Sequence, residues 1–225
     1  MPTDAPTPEH ADELRTHLLA EWERALPNQQ PMGEELIRRY SEPHRVYHNT
    51  THLNSVLKYV EELADDHDLF LVRLAAWFHD AVYAVPMLQV TNEEASARLA
   101  FRELSRAGLE QEDLNEVARL VRVTATHTPG ARDPEGELLC DADLAILASS
   151  PEDYQAYVRA IRSEYAAVPE IEFLEGRLEI MSAFLDTDIF RTGKARYLIE
   201  QAQANVAAEC VSLEEQLDRL VEESE

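Results

Sequence analysis

The chain has 225 residues, of which 45% are hydrophobic, and it contains only 6 glycines and 11 prolines. This length and composition predict one globular domain with a single core, and they exclude collagen-like and low-complexity proteins. The 20 basic and 44 acidic residues give a formal net charge of −24. Such a charge disfavours nucleic-acid polymers and anionic membrane surfaces as partners, so a small anionic substrate would need a locally positive site.

Three features of the sequence indicate the cellular compartment of the protein. Residues 1–10 are acidic and proline-rich, which argues against a secretory signal peptide. The most apolar stretch, residues 69–88, is interrupted by charged residues and a proline, so it is not expected to span a membrane. Cys140 and Cys210 are far apart in the sequence and fit a reducing environment. Together these features predict a soluble cytoplasmic protein.

Helical periodicity extends along the whole chain, and no alternating strand pattern is longer than about four residues. Since no linker or repeat divides the sequence, we predict a single all-α domain over residues 1–225. The more polar residues 1–30 are expected to form a loosely packed N-terminal extension of this domain. The segments predicted as helices are 9–26, 33–42, 50–64, 68–84, 92–107, 111–126, 136–148, 152–167, 171–186, 194–209 and 213–223.

Capping patterns mark several of these helix starts. Thr91 with Glu94, and Ser212 with Glu215, match the capping box, in which a hydroxyl and a carboxylate satisfy backbone N–H groups. Ser150 precedes a proline, a residue that suits the first position of a helix. The pattern at Ser212 divides the C-terminal part of the chain into two predicted helices.

The segment 68–84 differs from the other predicted helices because it is apolar on every face except at Arg73, His79 and Asp80. A helix that is apolar all round belongs at the centre of a bundle. A buried carboxylate in such a position is costly unless it is paired or bound to a metal. The His79–Asp80 pair therefore predicts a cation in the core.

Two further segments contain histidine and aspartate residues that could bind the same cation. His48 and His52 are four residues apart and would share one face of a helix. Asp143 has apolar neighbours three and four residues away on both sides, so it is predicted to point inward. Asp141 is expected nearer the rim, as a capping or salt-bridging group rather than a ligand. The predicted ligand set is His52, His79, Asp80 and Asp143, which suits Mn²⁺, Fe²⁺, Zn²⁺ or Ni²⁺, with Mg²⁺ also possible.

The order of these residues resembles that of the HD-domain superfamily of metal-dependent phosphohydrolases. Tyr47–His52 and Ala142–Leu144 are similar to the corresponding segments of cyclic-nucleotide phosphodiesterases. Ala81–Tyr83 departs from the phosphodiesterase pattern, which has a further acidic and histidine-rich stretch there, and this argues against a complete two-metal site. Over nearly its whole length the chain also resembles a bacterial group of predicted HD-superfamily phosphohydrolases. The segments that carry this likeness are Tyr40–Arg45, Phe78–Asp80, Asn92–Glu94, Asp141–Leu144 and Ile161–Tyr165.

The resemblance implies an HD-type helical bundle, the four metal ligands named above and His48 as a general acid toward the leaving oxygen. We therefore expect a metal-dependent phosphohydrolase acting on a small phosphate ester, such as a nucleotide or related metabolite. In this hypothesis Asp80 or Asp143 orients or deprotonates the attacking water, and Arg45 clamps the phosphate through its guanidinium.

The sequence is also compatible with two other functions. One is a metal-stabilised module that binds or senses nucleotides without turnover, and the other is a diiron oxygenase of the HD type. His127 either ends a helix or reaches the site. Glu94 is expected to serve its capping box, which leaves Glu93 freer to face the site.

Overall fold

A computed structural model describes residues 8–65, 68–86 and 89–223 of the chain. Within these ranges the regular structure is entirely helical, which confirms the predicted all-α fold class. None of the helices in the described ranges combines the length and apolar character needed to cross a membrane. The helices are α1 (Pro8–Ala25), α2 (Gln30–Tyr40), α3 (Thr50–Leu63), α4 (Phe70–Phe78), α5 (Asn92–Ala107), α6 (Gln111–Val123), α7 (Pro134–Asp143), α8 (Pro151–Glu164), α9 (Glu170–Leu185) and α10 (Ile199–Glu222), with 3₁₀-helices at Leu144–Ala148 and Gly193–Leu198.

The central helix is α4, as its uniformly apolar sequence predicted. It packs against α3, α5, α6 and α7, and its residues 74–78 are all buried. The helix ends at Phe78, however, rather than at residue 84. Beyond that point side chains replace the helical hydrogen bonds, because Val82 N–H donates to the Ser96 hydroxyl and Ala84 N–H to the Asn92 amide oxygen. The polar residues at the end of α4 therefore lie on an irregular turn.

The C-terminal part contains one long helix instead of the two that were predicted. The 3₁₀-helix Gly193–Leu198 leads directly into α10, which continues through Ser212 without a break. The predicted capping box at Ser212 is wrong because the buried stripe of α10 continues across it, from Val206 through Cys210 to Leu213. Packing against α9 thus outweighs the local capping signal.

The N-terminal segment forms α1 from Pro8; residues 9–13 of this helix are exposed, and its packing against the core begins at Leu14. The predicted loose packing of residues 1–30 is therefore wrong for the part of α1 that follows Leu14, and residues 1–7 lie outside the described ranges. Leu18 and Trp22 of α1 are fully buried. The Trp22 indole N–H donates to the Gln29 carbonyl at 2.7 Å, and its ring meets that of Trp77 on α4 edge to face, with 5.1 Å between centroids.

The contact between α1 and α2 depends on a glycine. A Cβ atom at Gly33 would overlap the Trp22 indole ring, which is held in place by its hydrogen bond and by the core. We predict that Gly33→Ala lowers the free energy of unfolding by about 1–3 kcal/mol, the usual cost of overpacking. Chemical denaturation of the variant and the wild type would measure this difference in the free energy of unfolding.

The control is Gly176→Ala in α9, where an added Cβ meets nothing within 4 Å. This substitution should raise the free energy of unfolding by roughly 0.5–1 kcal/mol, because alanine loses less backbone entropy than glycine in a helix. If Gly33→Ala were as stable as Gly176→Ala, the close approach of α1 to α2 would be wrong.

Candidate functional site

The four predicted ligands come together where three helices meet. His52 lies in the first turn of α3, His79 and Asp80 follow the end of α4, and Asp143 is the last residue of α7. The side chain of Asn49 accepts hydrogen bonds from the N–H groups of Thr51 and His52, so this cap fixes the start of α3 beside the site.

The ligand atoms of this cluster are close enough to share one ion. The Nε2 atoms of His52 and His79 are 3.1 Å apart, and Asp80 Oδ2 lies 3.4 Å and 3.1 Å from them, respectively. These three residues are buried, and their ligand atoms all lie within 4.8 Å of one another. Asp143 Oδ1 is 3.3 Å from Nε2 of His52 and 3.6 Å from that of His79, and its residue is half-buried.

The donor chemistry of the cluster fits a divalent transition metal. His79 Nδ1 donates to the Ala76 carbonyl at 2.8 Å, which directs Nε2 toward the carboxylates. Burial alone would lower the pKa of His79, but the charge of Asp80 raises it well above its usual value. Burial alone would likewise raise the pKa values of Asp80 and Asp143, but the positive charge of His79 holds both well below their usual range. A metal ion would bring to these carboxylates the positive charge that protons otherwise supply.

His127 reaches the cluster through its outer ligand. Its Nε2 lies 3.0 Å from Asp143 Oδ2, the oxygen that does not face the two histidines. The residue follows the end of α6 in the left-handed region, with φ of 49°. Of the two possibilities left open by the sequence, the structure thus places His127 at the site, where it orients Asp143.

Glu94 lies outside the cluster, where its side chain is bound to two arginines. The N–H of Glu94 is capped by the Thr91 side chain, and its carboxylate binds Arg98 and Arg122. No hydrogen bond or ion pair of the described residues joins Glu93 or Glu94 to the four ligands. Glu94 therefore belongs to the surface of α5.

Asp141 is fully buried, so its predicted position near the rim is wrong. It accepts hydrogen bonds from the N–H groups of Arg191 and Thr192 and from the Thr192 hydroxyl, at 2.7 to 3.1 Å. The helical pattern of α7 could not anticipate this, because the donors come from a loop fifty residues away. The expectation that Asp141 binds other protein groups rather than a metal agrees with these contacts.

Arg45 does not lie where a phosphate clamp would need it. Its side chain is fully buried, and one terminal nitrogen donates to the carbonyls of His48 and Asp80 at 3.1 and 2.8 Å. Its Nε donates to Glu42, and its guanidinium also lies over the ring of Tyr40. The predicted role of Arg45 in phosphate binding is therefore wrong, because the guanidinium is buried against protein groups. Arg45 joins the segment that carries His48 to the turn that carries Asp80.

Glu164, the last residue of α8, is the site residue that the sequence did not single out. Its Oε2 is 2.6 Å from His48 Nδ1 and accepts from the Tyr83 hydroxyl at 2.9 Å. Its Oε1 accepts from three consecutive N–H groups, those of residues 46, 47 and 48. Although burial opposes it, this hydrogen bonding and the charge of His48 lower the pKa of Glu164 to about 2. Glu164 is therefore a carboxylate that fixes the His48 ring.

Aromatic rings pack against His48 and His52. The Tyr47 ring lies 4.8 Å from His52 and 4.7 Å from Tyr157, between centroids, and Tyr83 stacks on His48 at 4.3 Å. These rings give the two histidines apolar surroundings on one side, and electrostatic interactions are stronger in such surroundings than in water.

The chain matches no protein-family model, no curated protein and no solved structure. The resemblance to HD-domain phosphohydrolases consequently remains a prediction. A functional assignment has to rest on the geometry and chemistry of the site itself.

The Glu164 contacts predict a pH-dependent contribution to stability. Since the pKa falls from about 4.5 in the unfolded chain to about 2 in the folded one, the carboxylate stabilises the fold above pH 4.5 and loses this effect as the pH falls toward 2. At pH 7 we expect Glu164→Gln to lower the free energy of unfolding by about 3 kcal/mol.

Urea unfolding of both proteins between pH 7 and pH 3 would measure this difference, which should shrink below pH 4.5. Glu152→Gln, at an exposed position on the same helix, is the control and should stay within about 0.5 kcal/mol of the wild type. A difference for Glu164→Gln that is independent of pH would show that the carboxylate charge is not what stabilises this segment.

Proposed function

We propose that this protein is a metal-dependent phosphohydrolase that acts on a small phosphate ester, such as a nucleotide or related metabolite. The observation that carries the proposal is the pairing of two features: a converging set of two imidazoles and two carboxylates, and the separate His48–Glu164 pair beside it. The ligands would be His52, His79, Asp80 and Asp143. When bound, the metal supplies positive charge at the phosphoryl group and activates water.

His48 is suited to protonate the leaving oxygen. Glu164 holds Nδ1 as a donor, while Nε2 has no hydrogen-bond partner among the described residues and the side chain is one-fifth exposed. The ring centroid lies 5.6 Å from that of His52, so the proton donor and the ligand cluster flank one space. A general acid needs this proximity to the leaving group together with an orienting partner.

Asp80 is better placed than Asp143 to accept the proton of the attacking water. Asp143 uses one oxygen toward the ligand histidines and the other toward His127. Asp80 uses Oδ2 toward the histidines, and its Oδ1 has no hydrogen-bond partner among the described residues. We infer that Asp80 orients and deprotonates water through Oδ1.

The alternatives have less support from these contacts. A sensor without turnover does not require His48 to be oriented by a carboxylate. A diiron oxygenase usually recruits two further histidines between the His-Asp pair and the last aspartate, and only His127 lies there in this sequence.

The two cysteines bear on the location of the protein. Both are unpaired and buried, which supports a cytoplasmic location in a reducing environment.

The metal assignment predicts opposite outcomes for two neighbouring aspartates. Asp143→Asn should lose bound Mn²⁺ or Zn²⁺ and the thermal stabilisation that the metal provides, about 2.7 kcal/mol at a hundredfold excess over Kd. Asp141→Asn should lower stability but keep the metal, because Asp141 binds a backbone loop. Metal content after dialysis, together with thermal unfolding, would measure both. Metal loss in Asp141→Asn but not in Asp143→Asn would contradict the ligand set.

The proposed role of His48 predicts a defect in one step of the reaction, the protonation of the leaving oxygen. With Mn²⁺ bound, His48→Ala should keep the metal and lose roughly 10²–10⁴-fold in hydrolysis rate, the usual contribution of a general acid. Aryl phosphates with good leaving groups should be affected less than alkyl phosphates, since they need less protonation. His17→Ala, at a histidine exposed on α1, is the matched control and should leave the rate unchanged.

Phosphate release would be assayed over a panel of phosphomonoesters and phosphodiesters with each divalent metal. Nucleotide binding without turnover under every metal would favour the sensor, and oxygen consumption without ester cleavage would favour the diiron enzyme. An unchanged rate in His48→Ala would remove His48 from the mechanism.

A further inference from the structure

The loop between α9 and the 3₁₀-helix Gly193–Leu198 brings an arginine to His127, the residue whose imidazole contacts Asp143. Arg191 donates from one terminal nitrogen to the His127 carbonyl at 2.8 Å. The imidazole of that same His127 binds Asp143, and the Arg191 N–H binds Asp141, two residues before the ligand. Arg191 is therefore connected to Asp143 through His127, and its backbone is anchored on the helix that carries Asp143.

Arg191 differs from the other arginines around the core in what it binds. Arg45 is surrounded by carbonyls and Glu42, Arg162 pairs with Glu170, and Arg177 pairs with Glu209. In the described part of the chain no carboxylate oxygen lies within 4.0 Å of the Arg191 guanidinium, whose Nε and second terminal nitrogen have no hydrogen-bond partner. The residue is half-buried, so these donors are partly shielded from water but not enclosed.

Asp141 holds this arginine in place. Among the described residues, all hydrogen bonds of its carboxylate come from Arg191 and Thr192, and it is fully buried between α7 and the loop. Burying a carboxylate is costly, and here its contacts fix the backbone of two loop residues rather than join two helices. Asp141 therefore acts as a positioning residue for Arg191.

We propose that Arg191 binds the anionic phosphate group of the substrate at the His127 edge of the ligand cluster. This inference rests on the proposed phosphate-ester function and deepens it. A guanidinium offers paired donors that match two phosphate oxygens, and such charge-assisted bonds are about twice as strong as neutral ones. Arg191 thus supplies the local positive charge that the sequence required and that the buried Arg45 does not offer.

The direct test is the binding of inorganic phosphate to the full chain, with and without Mn²⁺, measured by calorimetry. Arg191→Gln should weaken phosphate binding by roughly 10- to 100-fold, the loss expected for charged hydrogen bonds, while the metal content stays unchanged. Arg196→Gln, at an exposed position on the following 3₁₀-helix, is the matched control and should bind phosphate like the wild type.

Two further variants separate binding from a structural role. Arg191→Lys keeps the charge but not the paired donors, so it should bind phosphate with intermediate affinity and, if the enzyme turns over, raise KM more than it lowers kcat. Asp141→Asn should weaken phosphate binding while retaining the metal, because the loop is no longer fixed.

The outcomes distinguish this inference from the proposed function. Wild-type phosphate affinity in a folded Arg191→Gln protein, or no phosphate binding by the wild type, would overturn the role of Arg191. A drop in the free energy of unfolding with unchanged phosphate affinity would show that Arg191 serves only the end of α6. Phosphate binding that depends on Arg191, without turnover of any ester, would overturn the hydrolase and leave the anion site intact.

Discussion

Two largely buried carboxylates, Asp80 and Asp143, impose the constraint on which the rest of the site depends. Negative charge in an apolar interior must be compensated, and here the compensation comes from imidazoles on different helices. Because these four residues lie on α3, on the turn after α4 and on α7, the same contacts that balance charge also join these helices around the centre of the bundle. If the proposed metal binds, stability and metal affinity would be coupled, since a bound cation would strengthen the junction that holds these helices together.

A second set of hydrogen bonds holds the irregular segment between α2 and α3, which carries His48, next to this cluster. The segment has few helical hydrogen bonds of its own, so Glu164 accepts its N–H groups while Arg45 donates to its carbonyl at residue 48. Arg45 also binds the carbonyl of Asp80, which ties the segment to the ligand turn. The position of His48 is thus determined by α8, although the two are more than a hundred residues apart in sequence.

Local pattern was sufficient for the all-α class, for most of the helices and for bringing His52, His79, Asp80 and Asp143 together, because periodicity and residue type report directly on burial. It failed where a partner comes from a distant part of the chain. A charged residue such as Arg45 looks exposed in sequence until its carbonyl partners are known, and Glu164 looks like one of many surface carboxylates. Asp141 was misplaced for the same reason, since the loop that buries it lies beyond any helical pattern. Long-range contacts of this kind decide which polar groups support the site and which face a ligand.

The same contacts bear on how a chain with a net charge of −24 could bind the anionic substrate proposed for it. Charges separated by more than about 8–10 Å are largely screened at physiological salt, so the distant acidic surface has little influence on binding. Most arginines near the core are neutralised by carboxylates or enclosed by carbonyls, whereas Arg191 is held by a backbone carbonyl and keeps its charge available. In the proposed function, the positive charge at the cluster would come from the metal, His48 and Arg191. Binding would follow the arrangement of these few groups and not the composition of the whole protein.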